Sequence, residues 1–285
     1  MFITRNFKFT SARSISSYLT SFKRGYSSFN HEEVHKFSQL SQHWWDVNGP
    51  FKPLHAMNPA RVSYISQMYS DLTKNYSYKN KKDLWNQSSE SLSTAKIVDV
   101  GCGGGLLLGG NVLGIDASAE NIHCAQEHAK DLLSGSEKPQ LEYQNILAED
   151  LVAKENQFDI VVSSEVIEHV NNYKLFLDSL TKLTRKNGLL VISTINRTIL
   201  GKLLCVTLPE HILGMVPKGT HDFTKFIEPN EISSYLNRSG FKVVDISGLI
   251  YNPFANNWCV TPSNIGPFID VTVQANYILA AVKVE

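Results

Sequence analysis

No run of 18 or more apolar residues occurs in the chain, which excludes a membrane-spanning helix of the usual length. Cysteine is scarce: Cys102, Cys124, Cys205 and Cys259 form no C-x-x-C pair and stand at no zinc-finger spacing to histidine. That excludes a disulfide framework and a structural zinc site, and leaves four free thiols suited to a reducing compartment. Beyond residue 30 no cluster of Lys and Arg appears except Lys79, Lys81 and Lys82, read as a solvated surface loop. A phosphate backbone is held by clustered basic side chains, so a nucleic-acid partner is excluded. Internal repeats and low-complexity segments are absent as well.

The first 30 residues lack acid entirely, while holding Arg5, Lys8, Arg13, Lys23 and Arg24. This is the pattern of an amphipathic transit peptide drawn by a negative-inside potential, a disordered basic tail being the plainer alternative. A secretory signal would need a continuous apolar core, which the segment does not have. The run Arg24-Gly25-Tyr26-Ser27-Ser28 resembles a mitochondrial processing site, and cleavage is expected after Tyr26. Formal net charge is zero over 285 residues, but without those five basic residues 22 remain against 27 acidic, a net of −5. A hydrophobic content of 42% is enough for one large domain or two small ones.

Three regions are expected: a transit peptide at 1–26, a helical segment and linker at 27–95, and the main domain at 96–285. In residues 30–46, Val34, Phe37, Leu40, Trp44 and Trp45 recur at spacings near three and four and predict an amphipathic helix, ended by Pro50 and Pro53. Pro59 suits the first turn of a second helix through about Tyr69, and the polar run Thr73 to Ser93 reads as linker. From Ile97 strands alternate with helices. Strands are predicted at Ile97–Val100, Val112–Ile115, Leu141–Tyr143, Phe158–Val162, Leu189–Ser193, Phe241–Ile246 and Tyr277–Val282. Helices are predicted at Glu120–Leu133, Tyr173–Thr184 and Asn230–Asn237. The expected fold is an open α/β sheet of seven mainly parallel strands with flanking helices and ligands at the strands' carboxyl ends.

The run Ile97-Val98-Asp99-Val100-Gly101-Cys102-Gly103-Gly104-Gly105 sends a buried strand into a glycine-dense turn, where side chains would keep a ligand from the backbone. A dinucleotide fingerprint would place a third glycine at Leu106, which weakens a nicotinamide-dependent oxidoreductase reading. The acid-preceded form D-V-G-C-G resembles motif I of the class I methyltransferases. The next strand ends at Asp116, whose carboxylate could accept both hydroxyls of a ribose, or else cap the following helix. Loop and acid together make an adenosine site.

Only eleven residues, Gly101 to Asn111, separate these two strands, where a parallel crossover with its helix takes a dozen or more. The first crossover helix is therefore expected to be truncated, which would weaken folding and cofactor affinity. After the fourth strand come Glu165, Glu168 and His169, which a helical turn would carry on one side at i, i+3 and i+4. Such a set can hold a divalent cation, with oxygen-rich ligation favouring magnesium, and is equally compatible with positioning substrate or capping a helix.

These segments, with several more, resemble the ubiquinone-biosynthesis O-methyltransferases over most of the chain. The matching runs are Phe37-Ser38-Gln39-Leu40, Trp44-Trp45-Asp46, Gly49 through His55, Asn58-Pro59-Ala60-Arg61, Val216 through Asp222, and Lys225-Phe226-Ile227-Glu228-Pro229. The resemblance implies a methyltransferase acting on phenolic hydroxyls of polyprenyl-dihydroxybenzoate and demethylubiquinol. It implies S-adenosyl-L-methionine contacts from Arg61, Gly101, Asp116 and Ser164, and a magnesium site of Glu165, Glu168 and His169. His221 becomes a candidate for the base. The apolar stretch Thr198–Val216 is then a lid or membrane-contacting helix rather than a core-packed subdomain. The setting implied is the matrix face of the inner mitochondrial membrane, among other proteins of the ubiquinone-synthesis complex. Because family members carry about six more residues at the short crossover, enough to finish a helix at 3.6 residues per turn, a faulty gene model or a splice variant is expected. A catalytically impaired scaffold subunit is the alternative.

Overall fold

The computed structural model describes residues 27–74, 92, 94–107, 111–132, 141–212, 219–220, 222–252, 255, 257–262 and 271–285. The expected transit peptide, most of the linker and His221 lie outside the described residues.

Eight strands form one sheet in the order β3-β2-β1-β4-β5-β8-β6-β7. They are β1 (Lys96–Val100), β2 (Asn111–Asp116), β3 (Leu141–Asn145), β4 (Phe158–Ser164), β5 (Thr184–Ile195), β6 (Phe241–Asn252), β7 (Asn257–Pro262) and β8 (Asn276–Lys283). Strands β1 to β5 are mutually parallel, while β8 runs antiparallel between β5 and β6. The sequence predicts seven strands; β7 is the addition, an edge strand that pairs only with β6 and ends at Pro262, where a missing N–H is harmless.

Alternation explains the two cores. Odd and even residues of a strand face opposite sides, and here both sides are covered, so the inner strands are apolar throughout. One face carries Val98, Val161, Leu190, Ile192, Leu279 and Ala281 against α5 (Tyr173–Leu183) and α6 (Pro229–Arg238). The other carries Ile97, Val112, Ile160, Val162, Val191 and Ile278 against Met57, Tyr64, Ile65 and Tyr69.

Those last four belong to α2 (Lys52–Thr73), which follows α1 (His31–Gln39) and a 3₁₀ turn at Ser41–His43. The single helix expected over 30–46 is thus broken at Leu40, whose N–H bonds to Phe37 and Ser38 carbonyls as a cap. Pro59 is not in a first turn but inside α2; Pro53 fills the first-turn position, where no helical N–H is needed. Helices α3 (Ala119–Leu132) and a short α4 (Ala148–Val152) follow β2 and β3, and a helical turn at Ile199–Gly201 runs into a π-helix at Lys202–Ile212 after β5.

Between β1 and β2, residues 101–107 make turns without helix, and 108–110 lie outside the described residues. The strands still pair in parallel, Lys96 opposite Asn111 through Val100 opposite Ile115. Leu107 packs with Met57, Tyr64, Ile97 and Val112, so α2 covers this part of the sheet.

Candidate active site

At β1 the strand order reverses, β2 lying on one side and β4 on the other. Loops leaving adjacent carboxyl ends diverge there and open a crevice. A cavity occupies that place, lined by Gly101, Asp116, Leu147, Ser164, Glu165 and His169, together with Phe29, Glu33 and Phe37 of the amino-terminal segment.

The glycine loop is held by aromatic side chains. Gly101, Gly103 and Gly105 have φ of 79°, 54° and 80°, the left-handed region open to glycine. Space is equally restrictive: a Cβ on Gly101 would strike Val166, and one on Gly105 would come 2.6 Å from the Tyr143 hydroxyl. Trp44 lies over Gly103 and Gly104, stacks on Phe51 at 3.7 Å, and donates from Nε1 to Asn121 Oδ1 at 2.9 Å. Trp45 Nε1 donates to the Gly104 carbonyl at 3.0 Å, and Asn58 Nδ2 to that of Leu106 at 2.7 Å.

Asp116 ends β2 at the cavity wall. Its Oδ2 accepts from the Gly103 N–H at 3.0 Å, and its Oδ1 from the Ser118 N–H at 2.8 Å and Asn121 Nδ2 at 3.3 Å. Capping of α3 falls instead to Ser118, whose Oγ accepts from the Asn121 N–H at 3.1 Å. Burial raises the Asp116 carboxyl, against the pull of these donors.

Arg61 is not part of that lining and is buried, 6% exposed. Its Nη2 donates to Asn58 Oδ1 at 2.9 Å, while the buried Nε has no partner. Burial disfavours its charge, and Asp99 and Glu165 favour it. Burial pushes Asp99 up to about 7, opposed by Arg61 and reinforced by Asp116.

The acidic-histidine run departs from the helical turn expected of it. Glu165 has a φ of 55° and its N–H bonds to the Ser193 carbonyl at 3.0 Å, prolonging the β4–β5 ladder; only Ile167–His169 turn, as 3₁₀. The three side chains therefore do not share a helical face. Glu165 Oε1 accepts from Ser193 Oγ at 2.7 Å and Oε2 from Asn276 Nδ2 at 3.2 Å. Glu168, 3% exposed, accepts from Thr194 Oγ1 through Oε2 at 2.8 Å, and its Oε1 has no partner. Burial and the charge of Glu168 push Glu165 up to about 7, against Ser193, Arg61 and His169.

His169 turns to the amino-terminal segment, with Nδ1 2.8 Å from Glu33 Oε2 and Phe37 edge-on to its ring. Burial would raise Glu33, but the hydrogen bond and charge of His169, with Lys36, bring it down to about 2. Among the described residues no three His, Cys, Asp or Glu side chains stand together as a ready metal site.

Gly101, Asp116, Ser164, Glu165 and His169 thus meet at one cavity, while Arg61 and Glu168 are buried outside its lining and His221 lies outside the described residues. Sequence reasoning missed Glu33, Asn121 and Asn276. Only Asn276 left a trace, as a polar residue opening an otherwise apolar strand.

Comparison with known proteins adds to this geometry. A family profile described as a methyltransferase domain matches residues 64–246. The ubiquinone biosynthesis O-methyltransferase of Pelagibacter ubique is 35% identical over 241 residues, 82% of this chain and 94% of that one. The mitochondrial enzyme of that name from Rattus norvegicus is 38% identical over 86% of this chain and 70% of its own, and that of Arabidopsis thaliana 39% over 90% and 75%. Among solved structures, a SAM-dependent methyltransferase of Thermotoga maritima aligns with a TM-score of 0.52 at 15% identity, covering 87% of this chain and 99% of its own. Magnesium protoporphyrin IX methyltransferase of Synechocystis aligns with a TM-score of 0.52 at 14% identity, over 90% and 99%. These two establish the class I SAM-dependent methyltransferase fold alone.

Proposed function

Since the chain belongs to the ubiquinone-biosynthesis O-methyltransferases and is a SAM-dependent O-methyltransferase, we propose that it methylates phenolic hydroxyls of polyprenyl-dihydroxybenzoate and of demethylubiquinol. The observation that carries this reading is the cradle itself, a glycine loop with no room for side chains, bonded to the Asp116 carboxylate, with a buried Arg61 whose Nε is unpartnered.

Those residues fit S-adenosyl-L-methionine. When bound, it supplies an electrophilic methyl group on a sulfonium. Arg61 would pair with the methionine carboxylate, a task for a planar forked cation, and Asp116 would accept from ribose hydroxyls. Gly101 would let the ligand approach the backbone, and Ser164, which lines the cavity at the end of β4, would contact it. Alignment of donor and acceptor is the chain's main contribution to an in-line displacement, together with removal of the phenolic proton. His221 is the proposed base.

Glu165, Glu168 and His169 are the proposed magnesium ligands, and they would have to turn toward one another to hold the ion. Support comes from the buried Glu168, which has an unpartnered oxygen, and from Glu165, which desolvation and the charge of Glu168 hold up to about 7. The ion would supply positive charge that eases ionisation of a phenol.

The exposed apolar side chains Ile199, Leu203 and Leu204, on a helical turn that continues as a π-helix to Ile212, support contact with a membrane in which a polyprenyl substrate dissolves. No helix of the described residues is long and apolar enough to cross one. Residence on the matrix face of the inner mitochondrial membrane, with other proteins of ubiquinone synthesis, is the proposed setting; mitochondrial relatives and the basic first 26 residues support it.

The test is methyl transfer from S-adenosylmethionine to a short-tailed catechol acceptor, with and without chelator. Formation of the methyl ether, lost with chelator and restored by magnesium, is expected. No transfer at any magnesium concentration would overturn the activity, and transfer indifferent to chelator would overturn the metal.

A further inference from the structure

Glu165 is held more firmly than a carboxylate at a loop tip would be. Its left-handed backbone is strained for a residue with a Cβ and persists only where the surroundings fix it. Two donors then aim its carboxylate: Ser193 from β5, its neighbour in the ladder, and Asn276 from β8.

Asn276 is 5% exposed, opens β8, and stands in register opposite Ile195 of β5 and Leu249 of β6. Both ends of its amide are used. Nδ2 donates to Glu165 Oε2, while Oδ1 accepts from the Cys205 thiol at 3.0 Å. Cys205 belongs to the π-helix Lys202–Ile212, the continuation of the turn that bears the exposed Ile199. An amide cannot rotate to suit one partner without giving up the other, because its donor and acceptor are fixed in one plane. The same segment is tied to the strand's approach a second time, through Thr198 Oγ1 and the Gln274 carbonyl and through Asn196 Nδ2 and the Val273 carbonyl.

We propose that Asn276 is a positioning residue for methyl transfer, fixing Glu165 and linking its orientation to the apolar helix through Cys205. This rests on the reading that Glu165 acts at the reacting end of the site. Substrate or membrane held against the apolar helix then bears on the Glu165–Glu168 pair through one side chain, with no movement of the sheet.

The experiment compares Asn276→Ala, Asn276→Asp, Cys205→Ala, Cys205→Ser and Glu165→Gln in the full chain. Its readouts are kcat for the short-tailed catechol, affinity for S-adenosylhomocysteine, and Mn²⁺ affinity by electron paramagnetic resonance without the methyl donor. Asn276→Ala is expected to lower kcat and Mn²⁺ affinity about 10- to 100-fold, the size of effect seen for partners that orient metal ligands, with S-adenosylhomocysteine affinity nearly unchanged. Asn276→Asp, which keeps the shape and loses the donor, falls at least as far. Cys205→Ser, which still offers a donor to Oδ1, keeps a higher kcat than Cys205→Ala.

Undiminished kcat in Asn276→Ala, beside a crippled Glu165→Gln, would overturn the proposal. If Asn276→Ala fails to fold, the cysteine pair decides, and equal kcat in its two variants is the overturning result. Full activity of Glu165→Gln is a different failure, removing the reading beneath the proposal and the proposal with it. Should the wild-type chain bind no Mn²⁺, the cation reading falls and the kcat comparison alone decides for or against Asn276.

Discussion

The ring of Trp44 occupies the volume that a side chain on Gly103 would need. The two residues lie 59 positions apart and meet because Trp44 is fixed from two other directions, by stacking on Phe51 and by its bond to Asn121. The loop is thus shaped partly by a segment lying outside the strand-and-helix alternation.

Gly103→Ala is the direct probe. Overlap with Trp44 adds to the strain of a left-handed alanine, and on the order of 1–3 kcal/mol translates to a loss of roughly 5- to 150-fold in S-adenosylhomocysteine affinity. Calorimetric titration checks it, and affinity equal to wild type would dismiss the clash.

For Arg61, the probe is Arg61→Lys, which keeps charge and loses the fork. Charge-assisted hydrogen bonds contribute about 1.5–3 kcal/mol, so affinity for S-adenosylhomocysteine should fall by roughly 10- to 100-fold. An equal affinity would show that the buried guanidinium serves the fold alone.

Asp99 gives a pH signature. Its folded carboxyl is raised to about 7 by burial, above its unfolded value. A raised group adds stability fully below the unfolded pKa and loses it as pH rises through the folded one. Asp99→Asn mimics the neutral acid, so the variant's melting temperature should match wild type near pH 4, gain on it up to about pH 7, and hold a constant lead above that. A constant difference across this range would contradict the assignment.

Membrane contact predicts that the mature protein floats with anionic liposomes and that Leu203→Asp with Leu204→Asp releases it, because charge opposes burial in the interface. Both leucines are substantially exposed, so the fold should survive. Unchanged flotation of the double variant would return the segment to a packing role.

The short connection from β1 to β2 is testable by mass spectrometry of the native protein. If this sequence is the main product, trypsin releases a peptide running from Ile97 to Lys130. The expectation is a longer peptide with residues added between Gly105 and Asn111. Dominant detection of the peptide as written, from protein of normal cofactor affinity, would refute a faulty gene model or splice variant.

What could be read from the sequence was local. The run into Gly101, the acid at Asp116 and seven of the strands follow from alternation and glycine placement, which act over a few residues. Strand β7 escaped because an edge strand has one partner and a weak apolar signal. The helical turn expected at Glu165–His169 failed because the β4–β5 ladder captured the Glu165 N–H, a tertiary bond that spacing cannot reveal. Pro59 was misplaced because a proline signals a first turn only when no other proline stands before it, and Pro53 does. Glu33 with His169, and Asn276 with Glu165, are pairs separated by 136 and 111 positions, and nothing local marks either.

Strand β8 joins β5 to β6, yet it is made after both. Until it emerges, β5 and β6 each present an unpaired edge, the kind of surface that invites pairing with another chain. It also brings Asn276 to Glu165. A chain interrupted before residue 276 therefore lacks the join in its sheet and the Asn276 contact to Glu165 at once, and it presents open edges of the kind that chaperones and proteases recognise.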